Sequence, residues 1–234
     1  MSTVPQEAAG SVDGGYDPFR PSDYTGLLMH AIRSRAAAFN RGRCLDMGVG
    51  SGVLLAVMGL LGVQELYGVD VDPAAIAATR RLLAAVGLDD RAQVRQGSLW
   101  EPVRDMRFDV IAANLPHFAA SEPSDPLRSP YWSMGGPNGR KWVDPFLLGL
   151  RAHLTDTGVA FMTHNVFIGL DRTEAILARS GLTAHAILGT TAILHPLKSD
   201  LMSPDIRSSY SGSGIDRFGD YEFVDVQILE IRPA

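Results

Sequence analysis

One cysteine, Cys44, in 234 residues leaves no partner for an internal disulfide and no basis for a cysteine-based zinc cluster. Such usage suits a reducing compartment, so a cytoplasmic setting is expected, with Cys44 as a small buried filler in its apolar run. Lysine is nearly as scarce: of 21 basic residues only Lys141 and Lys198 are lysines, and the net charge is −5. A dedicated nucleic-acid binder carries a basic footprint, so no nucleic-acid partner is expected. Long apolar runs are missing as well. The longest, 53–63, contains two glycines and falls far short of the roughly 20 residues of a membrane helix, so no membrane partner is expected. Residues 1–15 lack the basic start and apolar centre of a secretory signal and read as a flexible tail. What remains, 46% hydrophobic and 20% charged, has the make-up of one globular domain over 16–234.

Short β-rich runs alternate with helical stretches, the pattern of a mostly parallel sheet covered by helices on both faces, an α/β fold. Seven strands are predicted, over 43–47, 65–69, 92–96, 108–113, 159–163, 183–194 and 221–231. Asp72 with Pro73 opens a helix over 73–86, and Asp171 with Glu174 forms a capping-box pattern opening another that ends at Gly181. Val143, Phe146, Leu147, Leu150 and Leu154 share one helical face, and an earlier helix runs from Ser22 or Asp23 to near Asn40. Two stretches rich in Pro, Ser, Gly and Asp, 115–139 and 196–220, are left as long loops.

The strongest chemical signal is the run from Leu45 to Gly52, in which Asp46, Gly48, Gly50 and Gly52 fall between a strand and a helix. Glycines there let the backbone turn sharply and lie against a ligand. Eighteen residues on, Asp70 ends the next strand, where a carboxylate accepts hydrogen bonds from both hydroxyls of a ribose. The dinucleotide fingerprint places its third glycine where this chain has Val53, which disfavours a pyrophosphate and an NAD(P) oxidoreductase. Asp46 would also repel phosphates, whereas it suits the ammonium group of a methionine moiety, directly or through water.

The strand 108–113 runs straight into Asn114-Leu115-Pro116-His117. Together with Asp46 to Gly52 and Gly68-Val69-Asp70, this resembles the class I S-adenosylmethionine-dependent methyltransferases, of the HemK/PrmC type whose motif is Asn-Pro-Pro-Tyr. The stretch from Tyr16 to Thr25 is similar to the segment that covers the cofactor in that family, and Gly135 to Gly139 resembles its Gly-Gly-x-Asp-Gly turn. The resemblance implies a Rossmann-like seven-stranded sheet in the order 3-2-1-4-5-7-6, with the last strand antiparallel, and S-adenosyl-L-methionine as cofactor. It implies that Asp46, Gly48, Gly50, Gly52, Asp70 and Asn114 hold the cofactor, with Ser98 or the main chain of Leu99 at its adenine, where the family has an acid. Asn114, Leu115, Pro116 and His117 are then the catalytic group. The Asn114 carbonyl and the Leu115 main-chain carbonyl would accept both N–H bonds of a planar amide or amine nitrogen, leaving its lone pair free for the methyl.

Leu115 and His117 depart from the family motif, and alternatives stay open. The acceptor is a protein side chain or a small molecule. His117 either stacks on it or, with an ordinary pKa near 6.5, acts as base in a small-molecule O-methyltransferase. A cofactor-binding module without activity is the third reading. His164 and Asn165, at the end of the fifth strand, are placed for a contact with the acceptor. Trp100 either flanks the adenine or belongs to the core. His153, His185 and His195 have no ligand partners at metal-binding spacing, so no metal is expected. The oligomeric state is not legible.

Overall fold

The computed structural model describes residues 19–120 and 134–234. The expected tail, 1–15, and the middle of the expected loop 115–139 lie outside the described residues. Eight strands form one sheet. They are β1 (Arg43–Met47), β2 (Glu65–Asp70), β3 (Ala92–Gln96), β4 (Phe108–Ala113), β5 (Leu154–Asn165), β6 (Leu182–Leu194), β7 (Ile215–Phe218) and β8 (Tyr221–Pro233). The helices are α1 (Asp23–Arg35), α2 (Val53–Leu60), α3 (Pro73–Ala85), α4 (Val143–His153), α5 (Leu170–Arg179), α6 (Pro196–Leu201) and α7 (Pro204–Tyr210).

The order is β3-β2-β1-β4-β5-β8-β6, with β8 in the position expected for the seventh strand. β1 to β5 pair in parallel, and β8 runs antiparallel between β5 and β6. The added strand, β7, pairs with the first residues of β8, Tyr221 to Val224, beyond the point where β8 leaves β5. The region 196–220 is therefore not a loop. It holds α6, α7 and β7, tied down by Ser199 and Arg207, which both donate to the Glu222 carboxylate at the start of β8.

Two other local signals give way to the tertiary structure. α5 starts two residues early, with Gly169 at its N-cap at φ 72°, so Asp171 sits inside the first turn instead of capping it. There its charge still favours the positive end of the helix. α4 stops at His153, and Leu154 opens a much longer β5 than expected, because this end of β5 still pairs with Phe108 of β4. α3 begins as expected, the Asp72 side chain accepting from Ala74 N–H ahead of Pro73.

The period of two in the strands sorts the buried side chains into two layers. Cys44, Val110, Ala112, Phe161 and Ile228 pack toward α1, α2 and α3. Leu45, Met47, Ile111, Ala113 and Met162 pack with the apolar faces of α4 and α5. Trp100 belongs to the second layer: it stacks on His153 at 4.4 Å and on Phe146 at 5.2 Å, and donates to the Phe146 carbonyl. It is partly buried against the core and takes no part in the cavity described next.

Candidate functional site

The strand order reverses direction between β1 and β4, and the crevice at the carboxyl ends of strands at such a point is where open α/β sheets bind ligands. A cavity of about 440 Å³ lies there, within the size range of small-molecule sites. One end is formed by Gly48, Gly50, Asp70, Ser98 and Leu99, and the other by Asn114 to Phe118 with Tyr24, Trp142 and Asn165. The described part of the covering segment, 19–25, lines the wall between them.

At the first end, Gly48, Gly50 and Gly52 have φ of 74°, 51° and 82°, in the left-handed region that favours glycine. Gly48 and Val49 donate their N–H groups to the Val69 carbonyl, which folds the loop back over β2. At Gly52 a Cβ would come within 2.9 Å of Thr79 on α3, so this glycine serves close packing of the loop on the helix. At Gly50 a Cβ would find nothing nearer than 3.9 Å, which leaves the loop open toward the cavity. Asp70 accepts from Gly50 N–H on one oxygen and from Asp72 N–H on the other, each at 3.0 Å. A carboxylate has about four lone-pair directions, so two remain for a ligand. Burial raises the Asp70 pKa above its ordinary value, opposed by these two N–H groups. Leu99 stands beside Ser98 with φ 47°, the one non-glycine residue with positive φ among those described.

Asp46 corrects an expectation. It alternates with Cys44 onto the α2 side of β1, is 1% exposed, and accepts from the Leu55 N–H at the start of α2. It does not line the cavity, so a direct contact with a ligand ammonium is ruled out in this arrangement. Burial drives its pKa well above the carboxylate range, and its Oδ1 has no partner.

At the other end, Asn114 continues β4 on the α1 side of the sheet. Its Oδ1 accepts from the Thr163 hydroxyl at 2.8 Å, and its Nδ2 donates to the Thr25 hydroxyl at 3.3 Å. Thr25 Oγ1 also accepts from the Ser22 N–H at the α1 N-cap, so helix start and motif share one group. The Asn114 amide is thus held from both sides, with one Oδ1 lone pair left over. His117 is 4% exposed, and its Nδ1 lies 2.5 Å from the Leu115 carbonyl oxygen. Its ring meets that of Tyr24 at 6.1 Å. The glycine turn packs directly behind it: a Cβ on Gly135 would lie 2.7 Å from His117 Cα, and one on Gly139 would lie 2.5 Å from the His117 carbonyl.

His164 alternates away from the cavity and meets the Thr173 hydroxyl of α5 at 3.0 Å, so it is not placed for an acceptor contact. Asn165 does line the cavity. Thr163, which holds Asn114, and the cavity-lining Trp142, Ala192, Ile193, Leu194 and Lys198 were not legible as site residues. They arrive from β5, β6 and the starts of α4 and α6, and nothing in their local sequence marks them. Among the described residues, no group of three metal-ligating side chains comes together, and no helix is long and apolar enough to cross a membrane.

Burial holds the imidazoles of His117 and His164 down to about 4 and about 3, respectively. Because the unfolded chain protonates them near 6.5, this stability is complete above that pH and is lost as pH falls toward 4. For His117 alone the loss reaches roughly 3 kcal/mol. Urea midpoints should fall from pH 7.5 to pH 4.5, while neither ring titrates by NMR above pH 5. A ring titrating near 6.5 in the folded protein would contradict this.

Residues 25–117 match the family model of the ribosomal protein L11 methyltransferase (PrmA). The release factor glutamine methyltransferase of Moorella thermoacetica is 27% identical over 168 residues, covering 68% of this chain and 58% of that protein. The ribosomal protein uL3 glutamine methyltransferase of Bordetella pertussis is 32% identical over 123 residues, covering 50% of this chain and 41% of that protein. The chain therefore spans about half the length of these curated relatives. Among solved structures, the ribosomal protein L11 methylase of Lactobacillus delbrueckii subsp. bulgaricus superposes with a TM-score of 0.58 at 20% identity, over 92% of this chain and 80% of that one. At that identity the likeness speaks for the fold. The stretch matched by the family model carries the glycine loop, Asp70 and the Asn-Leu-Pro-His motif, the residues on which the sequence resemblance rests.

Proposed function

We propose that this chain, whose fold is that of the class I methyltransferases, transfers a methyl group from S-adenosyl-L-methionine to an amide or amine nitrogen, with a protein side-chain amide as the favoured acceptor. The observation that carries the reading is the Asn114 amide, clamped by Thr25 and Thr163 at the edge of the cavity. The cofactor would supply a methyl group on a positively charged sulfur. Gly48 and Gly50 would give its chain a surface without side chains, Asp70 would accept from its ribose, and Ser98 and Leu99 would border its adenine.

An amide nitrogen is a poor nucleophile because its lone pair is delocalised into the carbonyl. Asn114 Oδ1 and the Leu115 carbonyl each have one lone pair already engaged by a protein donor, Thr163 and His117 respectively. The lone pair left on each can take one N–H of an incoming NH₂ group. Holding both N–H groups fixes the nitrogen and orients its lone pair, the positioning that such a reaction needs. As the N–C bond forms the S–C bond would break to leave a neutral sulfide, and one N–H proton would pass to water. That transfer needs no protein base, because an N-methylated amide cation is strongly acidic. The relatives' substrates, a release factor and ribosomal protein uL3, accord with a glutamine amide.

The base reading of His117 is disfavoured. Its pKa of about 4 makes it a weak base, and taking a proton from an ammonium of ordinary pKa near 10.4 would run uphill by roughly 9 kcal/mol. Turnover should accordingly be flat in pH from about 5.5 to 8.5 on the histidine side, and a rise centred near 6.5 would restore the base. The direct test is labelled S-adenosylmethionine incubated with the protein and a cell lysate, then separated into protein and small-molecule fractions. Label should enter protein and resist mild base, which cleaves methyl esters. Label confined to small molecules would overturn the favoured acceptor, and no label in either fraction would overturn the activity.

A further inference from the structure

Beside the Asn-Leu-Pro-His turn, two buried acceptor atoms lack partners: His117 Nε2 and Asn165 Oδ1. Their side chains lie against each other, and Asn165 also adjoins the Tyr24 hydroxyl. At 2.5 Å from the Leu115 carbonyl oxygen, His117 Nδ1 must carry a proton, since two facing lone pairs would repel at that distance. A neutral ring with hydrogen on Nδ1 has a bare lone pair on Nε2. As placed, that lone pair and Asn165 Oδ1 are two acceptors with no hydrogen for either, a costly state for groups 4% and 2% exposed.

Three rearrangements would supply the hydrogen. Moving the ring proton to Nε2 would serve Asn165 and set a bare Nδ1 against the Leu115 carbonyl. Protonating both nitrogens would serve both neighbours and bury a cation beside Lys198, whose charge also opposes it. Turning the Asn165 amide half a turn about its Cβ–Cγ bond costs neither, because its oxygen and nitrogen have nearly the same shape. Nδ2 then donates to His117 Nε2, and Oδ1 accepts from the Tyr24 hydroxyl. Every buried polar atom of the group gains a partner.

We infer that Tyr24, Asn165 and His117 form a one-way hydrogen-bond relay, Tyr24 O–H to Asn165 to His117 to the Leu115 carbonyl, that fixes this carbonyl as an acceptor of the substrate's N–H. His117 is then a positioning residue. The relay joins α1 and β5 to the motif, so the wall formed by 19–25 and the carbonyl that meets the acceptor are set together. This rests on the proposed role of Leu115, whereas the relay itself is measurable without any substrate.

Long-range proton–nitrogen NMR on the full chain at pH 7.5 reads the state of the ring. The result expected is hydrogen on Nδ1 and a bare, hydrogen-bonded Nε2 in His117. Hydrogen on Nε2, or a doubly protonated ring, overturns the relay. In Asn165→Asp, a carboxylate replaces the donor and draws a proton onto Nε2, so the ring should become doubly protonated. The same ring state as in wild type overturns the relay. In Tyr24→Phe the ring state should persist, while the Leu115 carbonyl-carbon signal, read through its bond to the Pro116 nitrogen, shifts. An unmoved carbonyl signal excludes Tyr24 from the chain.

Labelled-methyl transfer adds the functional side. Asn can place a donor where His117 has Nδ1, and Gln cannot, so His117→Asn should exceed His117→Gln by about tenfold, the worth of one hydrogen bond. Equal rates overturn the positioning role. A failure of the methyltransferase reading shows itself separately, as a wild-type protein that transfers no label while its His117 tautomer is as stated.

Discussion

Replacing Asn114 by Ala is expected to lower turnover by a factor of about 100 or more while S-adenosylmethionine affinity stays within about threefold. The contact removed is one that matters when the acceptor nitrogen must keep its lone pair free, so the loss belongs to the rate. Two side effects of the change are visible in the structure. The Thr163 hydroxyl loses its acceptor and the Thr25 hydroxyl one of its donors, at a cost of about 1–2 kcal/mol in stability. The measurement therefore pairs labelled-methyl transfer with calorimetric cofactor binding and a denaturation curve. Asn114→Asp separates the contributions further: it keeps the acceptor oxygens, loses the donor to Thr25 and brings a charge into the cavity. Full activity in Asn114→Ala would remove the central support of the proposed function. A parallel loss of cofactor affinity would assign Asn114 to the cofactor instead.

Asp70→Ala should weaken S-adenosylmethionine binding by about a hundredfold, on the order of 3 kcal/mol, as two hydrogen bonds to a charged acceptor are lost. The structure adds a reason for the effect to be this large. The same carboxylate holds the N–H groups of Gly50 and Asp72, so its removal also releases the glycine loop. Asp70→Asn distinguishes the two causes, since it retains one acceptor oxygen and offers a donor where the second stood. Its affinity should fall between those of wild type and Asp70→Ala. Calorimetry with unchanged affinity in Asp70→Ala, or with tighter binding of NADH than of the methyl donor, would refute the cofactor assignment.

Both residues were legible because each ends a strand whose pattern is plain. β2 and β4 carry apolar runs that stop abruptly at Asp70 and Asn114, and the rules of open α/β sheets put strand ends at the ligand. Asp46 shows where that inference stops. It lies one residue before the end of β1, and that step of alternation turns its carboxylate toward α2 and away from the cavity. Alternation likewise separates His164 from Asn165, two neighbours of which only the second lines the cavity.

The sequence by itself determined the fold class, the position of every central strand, the glycine turn and the two strand-end residues that line the cavity. These depend on periodicity, on φ angles open chiefly to glycine, and on short-range spacing, all of which are local. The tertiary structure decided what lies across the cavity and in what chemical state. Thr25 is 89 residues from Asn114, and Thr163 is 49. Such contacts depend on how the helices and strands are laid over one another, and no local pattern encodes that. The same holds for 196–220, whose Pro, Ser and Gly content suggests a loop until Glu222, brought close by β8, gives Ser199 and Arg207 a common acceptor. His117 is the clearest case. Its residue type allows a base, a stacking ring or a donor, and only burial against the Leu115 carbonyl selects the last, by making the charged form costly and assigning the proton to Nδ1.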